Sequence, residues 1–245
     1  MLQVCLNGAR RRAECPRLPV TPDELAAARE AVAAGAEEVR LHPKDRDGRD
    51  TLEAGAVAAA VTAVRDEVPG VCVGVTTGAW ASADSQDRPE QIRAWTVLPD
   101  HASVNWHENG ATDVAAALLE RGVGIEAGIY SGTPAARRFL AWPESHRVLR
   151  ILAEMTGPDP VDALHAAADL LGEVGSAATP VLLHGEDGAA WPVLRLAASR
   201  GLDTRIGLED VLHLPDGTPA PDNAALVRAA YETIQHARRA APHPS

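Results

Sequence analysis

The sequence has few cysteines, few aromatic residues and no long apolar run. Cysteine occurs three times in 245 residues, too rarely for a disulfide framework or a cysteine-rich zinc site. Cys5 and Cys72 lie within apolar runs, so we expect both to be buried core residues. No stretch approaches the roughly 18 apolar residues that span a membrane, and the N-terminus lacks a signal-peptide pattern. We therefore expect a cytoplasmic protein with no membrane partner.

Basic residues are also scarce, and nearly all of them are arginine. The chain has 23 Lys and Arg against 34 Asp and Glu, and its formal net charge is −11. Nucleic-acid phosphates bind to a basic face, so this charge argues against nucleic acid as a partner. Local arginines can still bind small anions. Lys44 is the single lysine in the chain.

Short β-branched, apolar runs alternate with longer Ala- and Leu-rich segments of helical period. The predicted strands are 2–7, 38–42, 71–76, 102–105, 124–129, 148–153, 180–183 and 204–208. Eight strand–helix units without a linker predict an α/β fold, a single (β/α)8 TIM barrel, for which about 250 residues is usual. The alternative is a doubly wound open sheet, but the first turn lacks its glycine-rich fingerprint. We expect the barrel to span residues 1–239, before a frayed tail at 240–245.

Two helix starts are marked by sequence. Residues 21–24 read Thr-Pro-Asp-Glu, a capping box with proline at the first helical position. Asp159-Pro160 repeats this opening, and the predicted apolar stripe behind it is Val161, Leu164, Ala168 and Leu171. The five tryptophans are expected mainly to fill gaps between helices and barrel.

In such a barrel the active site lies at the carboxyl ends of the strands. Many polar residues fall at those ends, and so many charged groups are costly to bury unpaired, which makes packing alone a poor explanation. A metal ion would offset the repulsion among the acids. The main candidates are Asn7, His42, Lys44, Thr76, Thr77, Asn105, Glu108, Glu126, Glu154, His184, Arg205, Glu209 and Asp210.

Two blocks carry a resemblance to a known family. Residues 35–48 read Gly-Ala-x3-Arg-Leu-His-Pro-Lys-Asp-x2-Gly, and residues 205–217 read Arg-Ile-Gly-Leu-Glu-Asp-x4-Pro-Asp-Gly. Together with residues 18–22, 75–78 and 102–105, they resemble the beta-keto acid cleavage enzyme family, whose founding member cleaves 3-keto-5-aminohexanoate. The resemblance runs from the first strand to the last helix.

The resemblance implies a barrel with a catalytic zinc that transfers CoA from acetyl-CoA to a β-keto acid, giving acetoacetate and a shortened acyl-CoA. It implies that His42 and Glu209 bind the metal, which polarises the keto oxygen. It also implies that Asp210, oriented by Arg205, removes a proton from the carbon between carbonyl and carboxylate, and that the carbanion attacks the thioester. Glu126 is the third catalytic candidate. A homo-oligomer, dimer or tetramer, is a further implication.

The chain departs from the family pattern at three single positions and in the loop after the first strand, where Arg10-Arg11-Arg12 stands instead of an acid often seen there. Position 40 is Arg where the family has its first histidine ligand, position 44 is Lys where Arg is usual, and Gly128 replaces the second acid of a Glu-x-Glu pattern. Without that histidine, zinc is one protein ligand short of the usual three. His184 is the nearest substitute. Alternatively, Arg40 places a positive charge at the metal position and stabilises an enolate itself.

The substrate-binding candidates are thus Asn7, Arg40, Lys44, Thr76, Thr77, Asn105 and Glu108. The run Arg10-Arg11-Arg12 is either a solvated loop or a site for CoA phosphates. Two other functions stay open on the same scaffold. One is a metal-dependent or Schiff-base aldolase, or a hydrolase, with Lys44 as the nucleophile in the Schiff-base case. The other is a barrel that has lost catalysis and binds a metabolite.

Overall fold

Eight parallel strands form a nearly closed barrel in this computed structural model, which describes residues 1–157, 159–175 and 177–240. The strands are β1 Leu2–Cys5, β2 Glu38–Leu41, β3 Cys72–Thr76, β4 His101–Asn105, β5 Gly124–Tyr130, β6 Arg150–Met155, β7 Val181–Gly185 and β8 Thr204–Ile206. From β1 to β7 each strand pairs with its sequence neighbour, and β1 also pairs with β8. Between β7 and β8, the amide of Leu183 donates to the carbonyl oxygen of Asp203 at 2.9 Å.

Helices alternate with the strands and cover the outside of the barrel. They are α1 Ala28–Ala33, α2 Ala54–Glu67, α3 Arg88–Arg93, α4 Ala111–Arg121, α5 Ala135–Leu140, α6 Pro160–Val174, α7 Ala190–Ser199 and α8 Asn223–Ala240. Their apolar faces and the strands share one hydrophobic core, in which each fully buried Val, Leu or Ile contributes about 1.5–3 kcal/mol. The described helices include none that is long and apolar enough to cross a membrane. The predicted (β/α)8 barrel is confirmed.

All eight predicted strands occur, with bounds shifted by one or two residues. The capping box is present: the amide of Thr21 donates to Glu24 at 3.0 Å, and the amide of Glu24 donates to the Thr21 hydroxyl at 3.4 Å. Asp159 caps α6 by accepting two backbone N–H groups. The frayed tail predicted at 240–245 lies outside the described residues, except for residue 240.

Two predictions about burial were wrong. Cys72 is exposed, because it is the first residue of β3 and lies at the amino-terminal rim of the barrel. In α6 the fully buried positions are Ala163, Ala167, Leu170 and Val174. Of the predicted stripe, Leu164 and Leu171 are partly buried against the core, whereas Ala168 and Val161 are exposed. The alanine-rich helix has apolar residues on two adjacent faces, so periodicity alone did not select the correct one.

Segment 207–210, which follows β8, is fixed by two close contacts. A Cβ atom at Gly207 would lie 1.9 Å from the carbonyl oxygen of Cys5, so only glycine lets the chain pass β1 here. The Asn223 side chain accepts from the amide of Leu208 at 2.8 Å and donates to the carbonyl oxygen of Leu6 at 2.9 Å. These contacts fix the backbone that carries the next two acids, Glu209 and Asp210.

Candidate active site

A cluster of charged side chains lies at the carboxyl ends of β2 and β8. Arg40 donates from Nη1 to Oε1 of Glu209, and from Nη2 to Oγ of Ser103 at 2.8 Å. The same Oε1 atom accepts from Nη2 of Arg205 at 3.1 Å and lies 3.6 Å from Nε2 of His42. Although burial raises the pKa of the Glu209 carboxyl, the two guanidinium groups hold it well below its usual value.

His42 is oriented from a neighbouring loop. Its Nδ1 atom lies 2.8 Å from Oδ2 of Asp50, so Nδ1 is the donor and Nε2 faces Glu209. Asp50 also accepts from Nε1 of Trp80 at 2.6 Å and pairs with Lys44. Burial raises the pKa of Asp50, but the bond from His42 and the charge of Lys44 together lower it to about 2. Asp50 therefore fixes the histidine and the lysine at once.

A second group runs behind Glu209 across β6, β7 and β8. Nε and Nη2 of Arg205 lie 3.1 and 3.0 Å from Oδ1 of Asp210. His184 lies between two acids, with Nδ1 3.4 Å from the same Asp210 oxygen and Nε2 3.2 Å from Oε2 of Glu154. Burial lowers the pKa of His184, but the two carboxylates outweigh it and the pKa is raised. The predicted catalytic pair, Asp210 and Arg205, is thus in contact.

Several buried polar atoms in these two groups lack a hydrogen-bond partner. Within the described part of the chain they include Nη1 of Arg205, Oδ2 of Asp210, Oε2 of Glu209 and Nδ1 of His184. Leaving one such atom unpaired costs about 1–3 kcal/mol, and a catalytic role is one physical reason why such atoms persist. This concentration marks the candidate active site.

A cavity of about 390 Å³ opens beside Glu209. Its polar and aromatic lining comes from Arg10, Glu14, Arg40, His42, Trp80, Tyr130, Glu154, Glu186, Asp187 and Glu209. In the described chain Arg205, Asp210 and His184 do not line it. Arg205 contacts the lining residue Glu209 and His184 contacts the lining residue Glu154, whereas Asp210 contacts Arg205 and His184.

An acid of β6 fills the space beside Gly128, the position on β5 where the family pattern has its second acid. A Cβ atom at Gly128 would lie 2.8 Å from Oε1 of Glu154 and 2.9 Å from Oδ1 of Asn105. Gly128 therefore leaves the space that the Glu154 carboxylate occupies. The sequence placed Glu154 at a strand end but did not indicate a role for it, because the exchange of an acid between neighbouring strands is visible only in three dimensions.

Six further residues at the site were not identified from the sequence: Glu14, Asp50, Trp80, Tyr130, Glu186 and Asp187. Trp80 is 48% exposed and its ring stacks at 6.2 Å on His42, so the expectation that it fills a helix–barrel gap was wrong. Burial and the charge of Glu154 raise the pKa of Glu186 to about 7. Asp50, Trp80 and Glu186 lie in strand–helix loops, where periodicity gives no signal.

Four predicted substrate-binding residues lie around the ends of β3 and β4. Oγ1 of Thr77 donates to a carbonyl oxygen of β4 at 2.6 Å, and Oγ1 of Thr76 accepts from a backbone amide at 3.2 Å. Nδ2 of Asn105 donates to Glu108 at 2.9 Å, and Glu108 pairs with Arg88. Within the described residues these four do not line the cavity beside Glu209, and their role stays a prediction.

Asn7 and Lys44 stabilise the rim between β1 and β2. The Asn7 amide accepts from the backbone N–H of His42 at 2.8 Å and donates to its carbonyl oxygen at 3.1 Å. Nζ of Lys44 donates to the carbonyl oxygen of Gly8 at 2.6 Å. Both residues therefore position the backbone next to His42, and direct contact of either with substrate stays a prediction.

Glu126 lies in a deeper layer of the barrel interior. Its Oε1 atom accepts from Gln3 at 3.0 Å and from Nε of Arg150 at 2.8 Å. Burial raises the pKa of Glu126, but His101 and Arg150 lower it to about 2. In the described chain, one set of three metal-ligand residues has donor atoms within 4.8 Å of one another, namely Glu38, His101 and Glu126. Its spacing could hold a metal ion, although Arg150 already pairs with both acids.

The three expected zinc ligands do not converge. His184 lies between Glu154 and Asp210, whereas His42 and Glu209 both lie next to the Arg40 guanidinium. Nη1 of Arg40 is 3.4 Å from Nε2 of His42 and also contacts Glu209. A fixed positive charge in contact with both donors opposes a metal cation there, so these residues as arranged do not fit the zinc ion that the family pattern implies.

A basic groove of about 1000 Å³ adjoins the cavity and shares Ala9 and Trp80 with it. Its basic lining residues are Arg11, Arg12, Lys44, Arg46 and Arg49. Arg12 pairs with an acid of the capping box, and Arg49 pairs with two acids of its own loop. Within the described residues, Arg11 and Arg46 have no ion-pair partner. The groove can therefore accept an anion next to the cavity.

Comparison with known proteins shows which family and which solved structures this chain is similar to. A family model for the beta-keto acid cleavage enzyme matches residues 1–245. The apo structure of ObcA matches with a TM-score of 0.68 at 17% identity, over 92% of this chain and 63% of that chain. A ternary complex of ObcA with a C4-CoA adduct and oxalate matches at the same score and identity, over 90% and 64%. 3-Dehydroquinate dehydratase from Geobacillus kaustophilus matches with a TM-score of 0.62 at 11% identity, over 98% and 92%.

At these identities the solved structures show the barrel fold alone. This chain spans 63–65% of the length of the ObcA chains that it matches. The family model, by contrast, covers every residue of the sequence. The chain belongs to the beta-keto acid cleavage enzyme family.

Proposed function

We propose that the protein converts a β-keto acid and acetyl-CoA into acetoacetate and an acyl-CoA. The observation that carries this proposal is the buried group of Arg205, Glu209 and Asp210, which holds unpartnered polar atoms directly behind the cavity that Glu209 lines. Family membership supports the reaction class. The ObcA complexes with oxaloacetate and with a C4-CoA adduct show a similar barrel binding a keto acid and a CoA derivative.

The reaction balances without an external oxidant or reductant. A base removes a proton from C2 of the β-keto acid, and C2 attacks the thioester carbonyl, which forms a C–C bond and releases the CoA thiolate. The thiolate then attacks the original C3 carbonyl, and the C2–C3 bond breaks. The products are an acyl-CoA and the acetoacetate carbanion, which regains the proton from the base. Each step places negative charge on an oxygen, which guanidinium groups stabilise.

Asp210 is the proposed base, and Arg205 is the residue that positions it. Arg205 holds Oδ1 of Asp210 and leaves Oδ2 free. Asp210 is fully buried behind Glu209, so the Glu209 side chain has to move aside for substrate carbon to reach Oδ2. Binding of the substrate carboxylate to Arg40 and Arg205 would release Glu209 from both guanidinium groups.

CoA is proposed to bind with its phosphates in the basic groove. Arg11 and Arg46 carry charges that no acid offsets in the described chain, and phosphate is the strong acceptor that arginine recognises. The groove meets the active-site cavity at Ala9 and Trp80. A thioester can therefore reach the cavity while its phosphates stay outside.

We further propose that the β-keto acid carries a cationic group at the end of its chain. The cavity wall opposite Arg40 contains Glu154 and Glu186, and in the described residues Glu186 has no ion pair or hydrogen bond through its carboxylate. Arg10, which also lines the cavity, is already paired with Asp187. Two carboxylates, with the ring of Tyr130 on the neighbouring strand β5, favour an ammonium group over a neutral or anionic chain.

Product analysis with purified protein tests the reaction. Acetyl-CoA is mixed with β-keto acids of equal length whose last carbon bears ammonium, trimethylammonium, methyl or carboxylate, and acetoacetate and acyl-CoA are measured. We expect both products, the largest kcat/KM for a cationic chain, and a fall of at least about 100-fold in Asp210→Asn. Glu30→Gln, a change at an exposed acid on α1, is the control. Absence of acetoacetate with every acid would contradict the function, whereas preference for the methyl or carboxylate chain would contradict only the substrate class.

The Schiff-base alternative has weaker support. Nζ of Lys44 is bonded to the carbonyl oxygen of Gly8 and paired with Asp50, and it faces the groove rather than the cavity beside Glu209. Borohydride trapping with the same acids and detection of a mass adduct on Lys44 would favour an aldolase. Tight binding of a β-keto acid without turnover would favour a metabolite-binding barrel.

A further inference from the structure

His42 and Glu209 keep the spacing of two metal ligands. Their Nε2 and Oε1 atoms lie 3.6 Å apart, and two ligands of a tetrahedral zinc at ordinary bond lengths lie about 3.4 Å apart. Asp50 orients the imidazole through Nδ1, as outer carboxylates do for ligating histidines. The pair therefore retains the spacing of two protein ligands of a metal site.

The Arg40 guanidinium lies directly beside both of these donors. Its Nη1 atom contacts Oε1 of Glu209 and lies 3.4 Å from Nε2 of His42. Nη2 is fixed by Ser103 at 2.8 Å, and the residue is 5% exposed. Arg40 comes from the end of β2, where its backbone is held in the sheet, so the charge is held in place by covalent structure and hydrogen bonds.

We propose that Arg40 is a built-in replacement for the metal ion of the family, so that this barrel stabilises its enolate with a guanidinium and binds no metal at His42 and Glu209. The inference deepens the proposed function and shares its reaction. A guanidinium stays protonated throughout the range in which the protein is folded, and its N–H groups donate directly to a developing enolate oxygen. Unlike a metal ion, it cannot dissociate or be removed by a chelator.

The same geometry predicts what one substitution would create. Arg40→His removes the guanidinium and adds an imidazole to the two donors already present, which gives the three protein ligands of a catalytic zinc site. Arg40→Ala removes the charge without adding a ligand. Arg11→His adds an imidazole on the neighbouring loop, away from both donors, and serves as the matched control for adventitious binding.

Metal content of purified full-length protein, measured by mass spectrometry after incubation with zinc and gel filtration, tests the inference. We expect less than about 0.1 zinc per chain at this site in the wild type and in Arg11→His, and about one per chain in Arg40→His. The added zinc should be lost again in Arg40→His combined with His42→Ala. Circular dichroism and thermal melting show whether each variant is folded. If Arg40→His does not fold, the zinc content of the wild type and of His42→Ala still tests the expectation that the wild type binds no zinc at this site.

About one zinc per wild-type chain that is lost in His42→Ala would overturn the inference, and so would the absence of zinc from folded Arg40→His. These readouts do not depend on turnover, so they distinguish a failure here from a failure of the proposed reaction. If the wild type makes acetoacetate, its rate should be unchanged by 1,10-phenanthroline, and a tenfold loss on chelation would also contradict the role of Arg40.

Discussion

Oδ2 of Asp50 lies 2.8 Å from Nδ1 of His42, and this one carboxylate also holds the Lys44 ammonium and the Trp80 indole. Asp50 therefore joins the loop after β2 to the loop after β3. It sets the direction of the His42 ring, which faces Glu209 with its other nitrogen. The orientation of the candidate active site depends on a residue that does not line its cavity.

Replacing Asp50 should destabilise the protein more than an ordinary loop substitution does. Asp50→Asn leaves the Lys44 ammonium, whose side chain is 2% exposed, without its partner. Removing one member of a buried ion pair costs about 3–5 kcal/mol. We expect the free energy of unfolding in urea to fall by about 3 kcal/mol, whereas Asp47→Asn, at an exposed acid of the same loop, should change it by less than about 0.5 kcal/mol. Equal effects of the two substitutions would show that the Asp50 contacts do not stabilise the fold.

Because of Glu126, the free energy of unfolding should fall as the pH is lowered below about 4.5. Its pKa is about 2 in the fold against an ordinary value of 4.5, so its stabilisation is fully present above pH 4.5 and is lost as pH falls towards 2. The difference corresponds to on the order of 3 kcal/mol. Urea titrations at several pH values should show this loss in the wild type and a shallower dependence in Glu126→Gln. Glu30→Gln should follow the wild type, and a Glu126→Gln variant with the full acid dependence would assign the loss to other groups.

The fold followed from the sequence because strand and helix periods alternate without interruption over the whole chain. The carboxyl ends of the strands could then be found by counting, and this placed His42, His184, Arg205 and Asp210 at one end of the barrel. The sequence could not show how those side chains pair. His184 bonds with Glu154 rather than joining His42, because β6 is next to β7 in the barrel whereas β8 and β1 separate β7 from β2.

The site residues that sequence reasoning missed depend on packing in three dimensions. Glu154 was visible at the end of β6, but the space at Gly128 that receives it lies on another strand. Trp80 and Asp50 come from different loops and meet only because β2 and β3 are neighbours. A local pattern does not encode these contacts. By contrast, the arginine at position 40 was visible in the sequence. Its role could be inferred only from the structure, in which Nη1 of Arg40 lies 3.4 Å from Nε2 of His42.

Adding a methyl group at Gly128 should displace the Glu154 carboxylate. In Gly128→Ala the new Cβ would lie 2.8 Å from Oε1 of Glu154 and 2.9 Å from Oδ1 of Asn105. We expect kcat/KM for a cationic β-keto acid to fall by about tenfold or more, with a smaller change for the methyl analogue. Gly172→Ala is the control, because no atom lies within 4 Å of its new Cβ in α6 and alanine stabilises helices by about 0.5–1 kcal/mol. An equal loss with both substrates would indicate a general distortion instead of a lost charge contact.

Charge reversal in the basic groove should weaken CoA binding without affecting the reacting groups in the cavity. The double variant Arg11→Glu and Arg46→Glu replaces the two groove arginines that have no ion pair in the described chain with acids that repel phosphate. A charge-assisted hydrogen bond contributes about 1.5–3 kcal/mol, and solvent exposure reduces this contribution. We therefore expect KM for acetyl-CoA to rise about tenfold, whereas KM for the β-keto acid should stay within about twofold of the wild-type value. The wild-type KM for acetyl-CoA should also rise with ionic strength, because salt screens exposed charges. The double variant Arg200→Glu and Arg228→Glu, at two exposed arginines outside the groove, makes the same change in net charge and is the control. An equal rise in that variant would place the phosphates elsewhere.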